Sequence, residues 1–128
     1  MVRENTFLSK DTANNQRYKL LNRMFPDALF VHLVRDGRAV TNSIRTRNWL
    51  PTIEMWWMED KAINHINEYE DPIELIGLHW QHNVEELLMA KELVGDRYLE
   101  LRYESLVDDV RGTIRPIIKF AGLDSSEN

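Results

Sequence analysis

The strongest constraint on this chain is a seven-residue run, Ala28-Leu29-Phe30-Val31-His32-Leu33-Val34, apolar at every position but one and followed at once by Arg35-Asp36-Gly37-Arg38. The run is too short for an ordinary helix and lacks the alternation of a strand with one wet face. It is therefore expected to be a strand buried on both faces of a parallel sheet. The polar residues that follow then stand at its carboxyl edge, where open α/β sheets bind ligands. After Gly37 the spacing of Ala39, Val40, Ser43 and Ile44 predicts a helix to about Arg47.

Other elements follow from the same reasoning. A helix is expected from about Thr12 to Met24, capped by Asp11 or Thr12, with Tyr18, Leu21 and Phe25 near one face. A second, from Ile53 to Tyr69, is expected to bury Trp56, Trp57, Ile63 and Ile66 before Glu70-Asp71-Pro72 stops it. A third runs from Ile73 to about Val94, with Ile76, Trp80, Val84, Leu87 and Leu88 on one stripe and Gly95 as its cap. Tyr98 to Tyr103 alternates as a short strand. Asp109 to Ala121 reads as helix, with Pro116 marking either a kink or a start near Thr113.

Two long striped helices between two strands predict an α/β layer architecture with a right-handed crossover. Two strands are few for a parallel sheet, so neighbouring strands are expected from outside this chain, from a partner or a second copy in a homo-oligomer. No repeat or linker-like stretch divides the sequence, so residues 1–128 are expected to form a single, incomplete domain.

Composition excludes several classes. The absence of cysteine removes disulfide frameworks, thiolate metal sites and cysteine nucleophiles. No run of eighteen apolar residues and no basic leader with an apolar stretch occur, so neither a membrane span nor a signal peptide is expected, and the expected compartment is the cytoplasm. Residues 1–47 carry nine Lys/Arg against four Asp/Glu, whereas residues 48–128 carry seven against seventeen. A basic first third on an acidic remainder suggests that the first third faces an anion, although solvated helix faces give the same pattern. The pI of about 5.4 argues against nucleic acid as a partner. His79 and His82 with Glu85 and Glu86 do not match a zinc-protease motif and lack a third separated ligand, so no metal is expected. His32 is expected to be a satisfied core histidine. The four tryptophans are expected in the core, with Trp49 and Trp56 alternatively lining an acceptor cleft.

Arg35 to Ser43 carries the chemistry. Two guanidiniums and a hydroxyl surround the start of a helix that follows a strand, and unpaired N–H groups and the helix dipole favour an anion there. On spacing alone, the favoured reading is Arg38 pairing with Asp36 on the surface and Ser43 bonding back within its helix.

Lys10-Asp11, the strand Leu29 to Val34, Arg35-Asp36-Gly37-Arg38 and Ser43 eight positions after Arg35 resemble the sulfotransferase superfamily, especially tyrosylprotein sulfotransferases and bacterial relatives. Trp80, Leu101-Arg102-Tyr103-Glu104-Ser105-Leu106-Val107 and Phe120-Ala121-Gly122-Leu123 continue the likeness in order. The resemblance implies a three-layer fold of the P-loop nucleotide-kinase type, helix-rich and partial in this chain. It implies a sulfuryl donor, 3′-phosphoadenosine 5′-phosphosulfate, which leaves as adenosine 3′,5′-bisphosphate. It further implies that Arg35 and Ser43 hold the donor's 3′-phosphate with Arg38 as a secondary ligand, that Tyr103 lies by the adenine, and that Lys10 approaches the transferring group. Without the resemblance, Tyr103 is a strand-end tyrosine and Lys10 a solvated lysine ahead of a helix.

The departures define a further expectation. Family members begin with a Gly-rich phosphosulfate loop, but the nine residues before Lys10 contain no glycine or proline. Thr12 stands where the cytosolic branch carries a histidine base and cannot serve as one at neutral pH. The chain is thus expected to be the 3′-phosphate-binding part of a sulfotransferase, inactive alone, or a non-catalytic binding remnant of the same fold.

Overall fold

A computed structural model describes residues 6–123. The chain divides into two compact units, one formed by Met1–Val34 with Leu87–Asn128 and the other by Arg35–Glu86.

In the first unit, α1 (Asn14–Met24) starts two residues later than its spacing predicts. Asp11 accepts the Ala13 N–H through its carboxylate, at 3.0 Å, and the Asn14 N–H through its backbone carbonyl. These bonds close a turn ahead of the helix. Strands β1 (Phe30–Val34) and β4 (Tyr98–Arg102) pair in parallel, in a register that sets His32 opposite Glu100 and Val34 opposite Arg102. The sheet is α/β in class, as the apolar run predicts. Burial on both faces is not observed: His32 is buried, but Val31 and Leu33 are 46% and 45% exposed. Successive side chains of a strand turn to opposite faces, and among the described residues β4 alone pairs with β1.

Arg97 stitches this unit together, donating to the Ala28 carbonyl at 2.9 Å and to Asn22 Oδ1 at 2.6 Å. Its buried apolar residues include Tyr18, Ala90 and Val94. Tyr103 is not a strand residue but opens α5 (Tyr103–Asp108). The final helix, α6 (Val110–Phe120), starts at once because Asp109 caps it through the Gly112 N–H, so Pro116 lies inside it. Thr113 donates back to the Ser105 carbonyl at 3.0 Å.

In the second unit, α2 (Gly37–Arg45) ends two residues before the expected Arg47. The helix expected over Ile53–Tyr69 is absent. In its place stand a two-residue antiparallel pair, β2 (Glu54–Met55) with β3 (Asp60–Lys61), then the single turn α3 (Ala62–His65) and a 3-10 turn over Ile66–Glu68. Glu59 takes a left-handed φ of 57°, which breaks any helix there. Asp60 then binds the Lys61 N–H and the Asn64 amide, both at 2.7 Å, giving the backbone a local alternative. Of the residues expected to be buried here, Trp56, Trp57 and Ile66 are half-buried and Ile63 is 49% exposed, while Met55 is the fully buried one. The core of this unit joins Leu50, Met55, Ala62, Leu75 and Ile76. The last two come from α4 (Pro72–Val94), which starts with Pro72 at its first position and ends before Gly95, at φ 57°.

Candidate anion-binding site

The second unit holds the Arg35–Ser43 segment. Arg35 directly follows β1 in sequence and is exposed. Asp36 is the N-cap of α2, and its carboxylate accepts from the Arg38 N–H at 2.9 Å and the Ala39 N–H at 3.3 Å. The Arg38 guanidinium closes on the same carboxylate with two bonds, 3.2 Å from Nε and 3.0 Å from a terminal nitrogen. Together these donors, the Arg38 side chain first, push the Asp36 pKa down to about 2. The surface pairing of Arg38 with Asp36 is therefore present, and the Arg38 side chain is 93% exposed.

Ser43 behaves differently. Its hydroxyl makes no back-bond in α2, and it is Thr41 that donates to the Arg38 carbonyl. Ser43 lies two turns along the helix on the Asp36 face, roughly 10 Å of helix rise from the cap. Arg35, Arg38 and Ser43 thus share one capped helix and its entry. Gly37 opens that helix under an indole: a Cβ there would meet Trp80 Cδ2 and Cε3 at 2.9 Å. The sequence marks a tight turn at Gly37 but gives no sign of this contact.

Elsewhere in this unit His82 stacks on Trp57, with centroids 4.4 Å apart and rings 25° from parallel, and meets Trp56 edge-on. Burial, then the neighbouring His82, lowers the His79 pKa. Trp49 is exposed. No cluster of three metal-type side chains occurs among the described residues.

Lys10 and Tyr103 belong to the first unit. Lys10 lines a groove of about 830 Å³ bordered by α1 and β1, in which apolar side chains predominate and His32 and Tyr98 also take part. His32 Nδ1 lies 2.7 Å from the Tyr98 hydroxyl and 3.7 Å from Glu100. Burial lowers the His32 pKa against the opposing pull of Glu100, and the same burial, with Glu100 adding to it, raises that of Tyr98 to about 12. His32 is the satisfied buried histidine its strand position predicts. Tyr103 is half-buried at the first position of α5.

A parallel strand pair and a capped, arginine-flanked helix after the first strand define an α/β protein with a candidate anion site. The model of a family described as the sulfotransferase family matches residues 2–127, and the chain belongs to that family. Two omega-hydroxy-beta-dihydromenaquinone-9 sulfotransferases, from Mycobacterium bovis and Mycobacterium tuberculosis, are each 30% identical to it over 98% of this chain. The chain spans 31% of the length of each. No solved structure matches it.

Proposed function

We propose that this chain carries the nucleotide 3′-phosphate-binding part of a sulfotransferase that moves a sulfuryl group from 3′-phosphoadenosine 5′-phosphosulfate to an acceptor hydroxyl or amine. In this reading both units belong to one three-layer domain of the P-loop nucleotide-kinase type. The acceptor atom bonds to sulfur as the bond from sulfur to the 5′-phosphate oxygen breaks, and adenosine 3′,5′-bisphosphate leaves. Arg35 and Ser43 anchor the 3′-phosphate, Arg38 adds a second guanidinium, Tyr103 contacts the nucleoside, and Lys10 stabilises charge on the transferring group.

The observation that carries the reading is the state of α2. The first N–H groups of α2, expected to be unpaired, are instead taken by the Asp36 carboxylate, which also holds the Arg38 guanidinium, while Arg35 stands at the entry of the helix and the Ser43 hydroxyl, two turns along the same face, is not spent on its own helix. A doubly charged phosphate suits the Arg35 guanidinium and the Ser43 hydroxyl, and arginine offers it paired bonds. The name of the relatives points to a hydroxylated substrate for those proteins, in keeping with a hydroxyl acceptor here.

Titration calorimetry with adenosine 3′,5′-bisphosphate tests the site. Arg35→Ala is expected to weaken binding roughly ten- to hundredfold and Ser43→Ala roughly two- to tenfold, as loss of charged and neutral hydrogen bonds predicts. Equal heats for the parent chain and Arg35→Ala would remove the assignment.

A further inference from the structure

We propose that Asp36–Gly37 is a site of spontaneous aspartate isomerisation, held in check by the Arg38 fork, and that its conversion dismantles the cap of α2. The inference goes beyond the phosphate reading and does not rest on it. The chain contains one Asp-Gly pair and no Asn-Gly pair. Glycine leaves its amide nitrogen open to attack the preceding side-chain carboxyl, because no Cβ shields it. Here the fold requires both members of the pair. A Cβ at Gly37 would meet the Trp80 indole at 2.9 Å, and Asp36 supplies the carboxylate that takes the Arg38 and Ala39 N–H groups. Packing on one side and capping on the other thus oblige the chain to carry its most labile dipeptide at the entry of α2.

The step balances with water alone. The Gly37 nitrogen bonds to Asp36 Cγ, and the amide proton leaves with the carboxyl hydroxyl as water, closing a five-membered imide. Water then adds at the former main-chain carbonyl and breaks its bond to nitrogen. The chain now runs through the Asp36 side chain, one methylene longer, with a new carboxylate on Cα. Two features of the folded site oppose closure. The ring sets Cβ and the Gly37 nitrogen on the same side of the Cα–C bond, and Asp36, at ψ 125°, holds them apart. The Arg38 side chain first, then the capped N–H groups, keep the Asp36 carboxyl at about 2, so the protonated form that can lose hydroxyl is scarce. Reaction therefore passes through a local opening that undoes the cap. The fork of Arg38 on Asp36, at 3.2 and 3.0 Å, is the side-chain contact that resists it.

Chains kept warm at mildly acidic pH, then digested and mapped by mass spectrometry that separates aspartyl from isoaspartyl peptides, read this directly. The urea-unfolded chain is expected to convert fastest at position 36, and the folded chain several-fold more slowly. Arg38→Ala is expected to convert several-fold faster than the folded parent. Its circular dichroism is expected to be that of the parent, because the Arg38 side chain is 93% exposed and such a pair adds little to stability. Raised salt screens the same exposed pair and is expected to accelerate the parent, a readout that needs no variant. Asp36→Glu, whose longer side chain would have to close a six-membered ring, is expected to give no isomer. In the converted chain the Arg38 and Ala39 amide resonances are expected to leave their capped positions. Equal rates for the folded parent and folded Arg38→Ala, or for folded and unfolded parent, overturn the proposal. Should Arg38→Ala fail to fold, a parent rate indifferent to salt overturns it instead. Amide resonances unmoved by conversion overturn the loss of the cap.

Discussion

Gly37 carries no side chain because the Trp80 indole stands where one would go. A ring fixed within a helix gives way less readily than the tip of a flexible chain. Gly37→Ala is expected to destabilise the protein by about 1–3 kcal/mol, as overpacking does, measured by denaturant unfolding. Next to it, Asp36 holds its folded pKa near 2, below the ordinary 3.8. A depressed carboxylate stabilises above its unfolded pKa, and that contribution disappears as pH falls through the folded value. Carboxyl resonances should show Asp36 ionised at pH 3 and titrating near 2, with the α2 amide signals moving in step. Asp36→Asn should abolish that titration and release the Arg38 guanidinium. At this scale the sequence was legible in type and only partly in pairing. It marks Arg35, Arg38 and Ser43 as a set and offers the Arg38–Asp36 pair that the structure shows, yet the reading coupled to that pair, Ser43 bonding back within its helix, is not what forms: Thr41 makes the back-bond instead.

The elements show where periodicity misleads. Trp56, Trp57, Ile63 and Ile66 recur at intervals that fit a helix, and the hairpin of β2 and β3 occupies the same stretch. Polar bonds of short range decide the matter, and a pattern of apolar residues does not record them. Among these, His65 lies 3.0 Å from Asp60 through Nε2 and 3.2 Å from Glu68 through Nδ1, tying β3 to the turns beyond it. Glu68, opposed by desolvation and then helped by Asp60, raises the His65 pKa above 6.5. The sign is that of a cation gained on folding: the clasp is at full strength below about pH 6.5 and is lost as pH rises through the folded value. Melting curves from pH 5 to 9 should show this loss, and His65→Gln should flatten it. Arg97 is a second element-level device that sequence reasoning missed, because an arginine after a helix carries no signal of its distant carbonyl partner. Arg97→Ala leaves the Ala28 carbonyl and the Asn22 amide oxygen unpaired, and unfolding should report a loss of about 1–3 kcal/mol.

For the whole molecule, the class of fold and the order of its main elements were readable, since long stripes and a continuous apolar strand are strong signals. The alternation of β1 was not. A run apolar on both sides predicts cover on both sides, and the described residues leave Leu29, Val31 and Leu33 substantially exposed. No helix among the described residues is long and apolar enough to cross a membrane. The candidate site is marked in the sequence only where the family resemblance coincides with a local motif, as at Arg35 and Ser43; a groove such as the one beside Lys10 is a property of packing and appears in no motif.

The pairing of β1 with β4 also sets a clock. His32 and Tyr98, which meet across the two strands, are 66 residues apart in the chain. At about 5–20 residues per second of synthesis, β1 waits several seconds on the ribosome for its partner. Closing so long a loop costs entropy before any strand bond repays it, so the sheet belongs to the late part of folding. Pulsed hydrogen exchange should find the amides of both strands protected in a single shared step, and until then a sticky hydrocarbon ribbon is on offer to whatever chaperone arrives first.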